Sequence, residues 1–118
     1  MKLSSERRKE LQEMYKEMKP DMGILAVINK SNGKYFLETT QNLKGKINSI
    51  TFQLKSGGHP NKELQKDWRE LGSDNFEIRI LEKLEYDEDE NKRDYADELE
   101  LMKMIWVEKL NKENIKIY

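Results

Sequence analysis

The chain holds one histidine, His59, which is followed by Pro60 and Asn61. A lone imidazole can move one proton near neutral pH, but it builds no multi-histidine metal site and leaves a serine–histidine–aspartate triad little to work with. Beside a proline at a helix start, its plainer role is to cap or hold a loop. There is no cysteine, which removes thiolate nucleophiles, disulfides, iron–sulfur clusters and cysteine-type zinc sites. The second chemistry-bearing pattern is basic. Lys62, Lys66 and Arg69 recur at helical spacing, and Lys44, Lys46 and Lys55 precede them. Cations so arranged can face the phosphates of a nucleic acid. Between Lys34 and Arg69 seven bases meet three acids. The opposing signs are Glu63, Asp67 and Glu70 on the same helix, a mixture that also describes a plain solvated face. Only five arginines occur, few for bidentate phosphate recognition, and the pI near 6.0 is unlike that of a dedicated DNA binder.

Several elements must position these residues. Leu11, Met14, Tyr15 and Met18 fall at helical spacing, so residues 4–18 read as an amphipathic helix capped by Ser4 or Ser5 and ended by Pro20. That helix packs on the domain or serves as a docking or self-association helix. Residues 1–20 are thus an extension and 21–118 the domain proper. Met22 to Asn29 predicts a buried strand. Asn32-Gly33 joins it to a second strand over Lys34 to Thr39, a hairpin for which a type I′ turn is expected. Leu43, Ile47, Ile50 and Leu54 make one stripe of a helix over 42–55, broken by Gly57-Gly58-His59-Pro60. A helix over 61–71 follows, with Leu64, Trp68 and Leu71 inward and Gly72 as its stop. Phe76, Ile78 and Ile80 alternate as a third strand. Residues 85–94 form an acid-crowded loop, expected to be solvated and mobile. A last helix over 94–110 carries Tyr95, Leu99, Met102, Trp106 and Leu110, and Ile115 and Ile117 pack back from the tail. The order α-β-β-α-α-β-α predicts an α+β domain with a small antiparallel sheet.

Composition agrees with a small folded domain. The chain has 118 residues, enough for one core. Charged residues make up 38%, yet 22 bases and 23 acids leave a net charge of -1. Mean hydropathy is -0.99, but disorder needs high net charge as well as low hydrophobicity. The balance hides a block: from Glu82 to Glu100 ten acids meet three bases. No apolar stretch follows the basic residues of the first eight positions, and the longest apolar run, Met22 to Ile28, is far below a membrane span. A cytoplasmic protein with no membrane contact is expected.

Some of these residues also carry a resemblance. Gly23-Ile24-Leu25, the Gly33-Lys34-Tyr35-Phe36-Leu37 run and Asn42-Leu43, then His59-Pro60-Asn61, Leu64 to Trp68, Leu71-Gly72, Asn75-Phe76-Glu77 and Ile80-Leu81, and finally Leu99 to Leu110 around Trp106 resemble GIY-YIG nuclease domains. The likeness spans residues 22–110. It implies a three-stranded antiparallel sheet flanked by helices, and metal-dependent hydrolysis of a phosphodiester. In the family one tyrosine from each half of the motif serves the site. An arginine on the helix after the hairpin contacts phosphate, often beside a histidine, and a glutamate on the last helix holds the metal.

The resemblance places those roles on residues that cannot fill them. The tyrosine positions fall on Leu25 and Phe36, the last motif glycine on Glu38, the arginine on Lys46, the histidine on Ile50 and the metal glutamate on Lys103. Leu25 and Phe36 carry no hydroxyl, and a missing positioned acid or base costs roughly 10²–10⁴ in rate. Lys103 puts a cation where a metal would sit. Lys46 keeps charge without the bidentate fork. Tyr35 cannot replace Phe36, because adjacent strand residues point to opposite faces. Glu38 shares a face with Phe36, and Glu100 lies three residues before Lys103; together they would be the carboxylates of a rebuilt cation site, or simply surface charges. No cofactor is expected. The functional expectation is a nucleic-acid-associated or regulatory domain without nuclease activity. Its alternatives are a protein-interaction module using residues 4–18 or the acidic loop, and a metal-dependent endonuclease with a rebuilt site.

Overall fold

In the computed structural model the described residues are 4–118, with side chains described for all of these except 12–18. Helix α1 (Ser5–Met18) is followed by strands β1 (Met22–Asn29) and β2 (Tyr35–Thr40), helices α2 (Leu43–Ser56) and α3 (Lys62–Leu71), a single 3-10 turn (Ser73–Asn75), strand β3 (Phe76–Leu84) and helix α4 (Ala96–Lys112). The sheet is antiparallel throughout, in the order β2-β1-β3. This is the α+β architecture and the element order expected from the sequence. Of the predicted stripe on α1, Leu11 is exposed and Met14, Tyr15 and Met18 lie outside the described side chains.

All eight residues of β1 are buried, because helices cover both faces of the sheet. Leu25 and Val27 point to one face and pack with Leu43, Ile50 and Leu54 of α2, Leu64 of α3 and Phe76. Ile24, Ala26 and Ile28 point to the other and pack with Met102 and Leu110 of α4, with Ile115 and Ile117 of the tail closing over them. The predicted helix stripes are therefore the core faces. Asn42 caps α2 by accepting the Gly45 N–H at 3.0 Å, and Gly57, at φ 84°, supplies the left-handed residue that ends it.

The structure corrects several details. Gly33 alone takes a positive φ in the hairpin; Asn32 does not, so the turn is not type I′. The Asn29 carbonyl accepts from Gly33 N–H, and Asn29 N–H donates to the Lys34 carbonyl. These bonds close a four-residue loop, a length usually built on a type I turn. Asn61, where the predicted helix began, is the cap of α3 and Lys62 its first residue: the Asn61 side chain accepts the Leu64 N–H. Leu71 is exposed, as is Ile80. β3 runs four residues beyond the predicted alternation because a bulge opposite Ile24 and Leu25 shifts its register. Leu81 at the bulge and Leu84 beyond it both pack on the α4 side; strict alternation from Ile80 would have placed Leu81 there but would have turned Leu84 to the α2 side. The acidic segment is a loop, mostly exposed, but tied at both ends: Tyr86 hydroxyl donates to the Pro20 carbonyl, Asp87 N–H to the Tyr95 hydroxyl and Lys92 to Glu98. α4 ends at Lys112, two residues past the predicted boundary.

One buried polar hub was invisible to periodicity. Asn29, at the end of β1, is fully buried. Its Nδ2 donates to the Tyr118 hydroxyl at 2.9 Å, and its Oδ1 accepts from Ser31 N–H at 3.0 Å and Asn75 Nδ2 at 2.7 Å. The Tyr118 hydroxyl donates on to Asp67 Oδ2 at 2.6 Å. Asn29→Ala would leave these partners unmet in the interior, so it should destabilise the fold by about 3 kcal/mol. Urea unfolding of the variant against the parent reads this directly; a loss below about 1 kcal/mol would mean that water or neighbours replace the amide.

Candidate functional site

β2, α2 and the loop before α3 enclose an open depression of about 330 Å3 lined by Phe36, Glu38, Lys46, Ile50, His59 and Asn61, among others. The pleat explains the wall from β2. Phe36 stands opposite Val27 and Glu38 opposite Leu25, so both point to the α2 face. Tyr35 and Leu37 point to the α4 face, and Tyr35 takes no part in this cleft. Lys46, three residues past Leu43, projects from the first turns of α2 toward β2, where its Nζ lies 3.8 Å from Glu38 Oε1. Both side chains are about a third exposed, at 37% and 35%, so the pair is loosely held.

Ile50 and Leu25 are core residues, 2% and 0% exposed. Phe36 packs on the same cluster, and its ring meets the His59 ring edge-on at 5.0 Å between centroids. His59 is itself buried. Its Nδ1 accepts the Asn61 N–H at 3.0 Å, and its own N–H donates to Gln65 Oε1 at 3.0 Å. It therefore does the loop-holding expected of it, and it also walls the cleft, which the sequence did not signal. Burial is the largest influence on its ring and lowers its pKa below the ordinary value, while the Glu38 charge opposes that shift. With Nδ1 accepting, the proton of the neutral ring sits on Nε2.

Lys103 is half-buried on α4, in a separate depression that it shares with Glu100, Met104 and Val107. The structure thus brings Phe36, Glu38, Lys46 and Ile50 together and leaves Lys103 and Glu100 elsewhere. A rebuilt cation site from Glu38 and Glu100 is not assembled, since the two line different depressions. Among the described residues no group of three or more His, Asp or Glu side chains could hold a metal ion. The cleft offers one carboxylate, already beside a lysine, so its residues do not fit a divalent metal. Of the basic candidates, Lys44 and Lys62 are exposed, Lys66 lies 4.0 Å from Glu70, and Lys55 and Arg69 line a further depression between the end of α2 and α3.

Because the His59 pKa is lowered on folding, the unfolded chain binds the proton more readily. Its contribution to stability is full above about pH 6.5 and is lost as pH falls through the lowered folded value. Acidification from pH 7.5 to 5.5 should therefore lower the thermal midpoint, and His59→Gln should shrink that difference. An unchanged pH response in the variant would assign the acid sensitivity to carboxylates instead.

No family model and no curated protein matches the sequence. Solved structures do. A mutant of the catalytic domain of intron endonuclease I-TevI aligns over 81% of this chain and 90% of its own, with TM-score 0.63 and 22% identity. The catalytic domain of homing endonuclease I-TevI aligns over 81% and 96%, with TM-score 0.64 and 24% identity. At this identity the likeness speaks for the fold: the chain has a GIY-YIG-like, three-stranded antiparallel α+β fold.

Proposed function

We propose that this chain is a nucleic-acid-associated GIY-YIG-like domain that engages a phosphate backbone at the α2 cleft and does not cleave it. The neighbouring folds are catalytic domains of endonucleases, which supports a nucleic-acid partner. The observation that supports the non-cleaving half is the cleft lining: a phenyl ring at Phe36, apolar Ile50 beside it, and no tyrosine hydroxyl among the lining residues. Lys46 remains as the cation. Its 3.8 Å approach to Glu38 is weak enough to exchange for a phosphate oxygen. Of the two possible bases in the lining, Glu38 lies beside Lys46 and the His59 Nδ1 lone pair is taken by the Asn61 N–H, and a single carboxylate does not suit a metal.

A second reading, a protein-interaction module, is supported by one observation: residues 4–11 at the start of α1 are exposed throughout. A concentration-dependent dimer in sedimentation velocity, weakened by Leu11→Glu, would favour it; a monomer at every concentration would remove self-association.

For the main reading, fluorescence anisotropy with short DNA and RNA should show binding that weakens as salt rises. Lys46→Ala should reduce the log–log salt slope by about 1. Supercoiled plasmid incubated with the protein and Mg²⁺ or Mn²⁺ should stay intact. Nicking that disappears in Glu38→Ala would show that the cleft is an active site after all.

A further inference from the structure

We propose that the depression between the end of α2 and α3 is a second phosphate seat, with Lys55 and Arg69 as its cations and the Ser73 hydroxyl beside them. The depression measures about 440 Å3, and its lining also includes Gly57 and Trp68. As a seat for nucleic-acid backbone it rests on the function proposed above.

The first argument is charge. α3 carries three acids that could cancel its bases, and each is engaged elsewhere. Glu63 binds Lys34, Asp67 accepts from the Tyr118 hydroxyl, and Glu70 lies near Lys66. Lys55 and Arg69 make no ion pair or hydrogen bond among the described residues. The mixed composition of the helix therefore does not carry over to this depression. Asp74 follows Ser73 in sequence but is not part of the lining. The C-terminal end of α2 attracts cations through its dipole, which helps to hold Lys55 there. Among the described residues no protein group takes the N–H donors of either side chain, so both are open to a ligand.

The second argument is form. Gly57 has no side chain, and Arg69 Nη2 lies 3.5 Å from where a Cβ would stand, so the guanidinium reaches across the end of α2. The floor is rigid. Gln65 is buried, donates to the Leu54 carbonyl at 3.0 Å and accepts the His59 N–H at 3.0 Å. Trp68 packs on Phe76, with ring centroids 5.1 Å apart. Two cations lining one depression, one of them a fork of N–H donors, beside the Ser73 hydroxyl suit a phosphate group; the Ser56 hydroxyl donates to the Gln53 carbonyl at 3.3 Å and offers no proton. Gln65 also joins this seat to the cleft, since its partner His59 walls the cleft. A backbone crossing the 57–61 loop would meet Lys46 on one side and Arg69 on the other.

The ligand chemistry is phosphate, from nucleic-acid backbone or as a free anion, and the test separates the two. The full-length protein is titrated with a short single-stranded oligonucleotide and, separately, with inorganic phosphate against chloride at equal ionic strength. Amide shifts of Gly57 and Gly72 and the Trp68 indole shift are followed by NMR, and oligonucleotide affinity by anisotropy. The Lys55→Ala/Arg69→Ala variant should bind oligonucleotide about tenfold more weakly, with a salt slope smaller by about 2 and an unchanged thermal midpoint. Oligonucleotide binding weakened by Lys46→Ala but untouched by the double variant would overturn the seat and leave the proposed function standing. Absence of oligonucleotide binding in every form would overturn the proposed function, and the phosphate arm then decides the seat. Saturable shifts at Gly57 and Gly72 that vanish in the double variant would keep it as a site for free phosphate. Their absence would overturn it.

Discussion

A strand with no solvent-facing side constrains everything around it. β1 is covered by α2 and α3 on one face and by α4 on the other, and it is flanked by β2 and β3 at its edges. A one-residue slip of β2 would exchange Phe36 for Tyr35 in the cleft, but it would also drive Leu37 out of the α4 side. At Gly23 the two strands approach so closely that a Cβ would lie 2.1 Å from the Glu82 carbonyl oxygen. That contact sits beside the bulge that re-aims β3. The residues that line the cleft thus follow from the burial of a neighbour that never touches it.

The far end of β1 turns the same constraint into a polar problem. A strand that enters the interior must end, and its last residue, Asn29, is still fully buried. Its amide meets the hairpin at Ser31, the 3-10 turn at Asn75 and the tail at Tyr118. Burial, with the Asp67 hydrogen bond, pushes the Tyr118 hydroxyl up to about 12, so it stays a donor across the ordinary range. Through that donor Asp67 is drawn away from the basic face of α3. A hydrogen-bond requirement at the end of a strand thereby bears on the surface charge of a helix.

Apolar spacing was legible because burial imposes it. Leu43, Ile50 and Leu54 on α2, and Leu99, Met102 and Leu110 on α4, lie where their periodicity put them. Leu71 and Ile80 belonged to equally regular patterns and are exposed, since α3 ends and β3 bulges where nothing covers them. Gly33 marked the hairpin, but the turn type depended on Asn32, whose φ the sequence could not supply. For the cleft, strand parity placed Phe36 and Glu38 on one side, and the Lys46 partnership follows from it. Parity within a helix carried no information about distance between elements, which is why Glu38 and Glu100 could be paired on paper and lie in different depressions. The Asn29 hub left no periodic trace, because polar residues converge there from five segments at once; Lys55 and Arg69 were visible as basic residues, but not that they line one depression.

Apolar side chains in and beneath the cleft also stabilise the fold. Leu25 is fully buried against α2 and α3, and a hydroxyl introduced at that depth would need a partner that the surrounding Val27, Leu43 and Ile50 cannot offer. Phe36 closes the same cluster and leans on His59, whose ring accepts the Asn61 N–H and whose backbone N–H donates to Gln65. Each of these contacts adds apolar packing where a catalytic site would carry unsatisfied polar groups, the strain that active sites ordinarily tolerate. A chain with only about 23% Leu, Ile, Val and Phe has a modest core. Extending that core into the cleft is a physical reason for Leu25 and Phe36 to stand where they do, independent of any reaction.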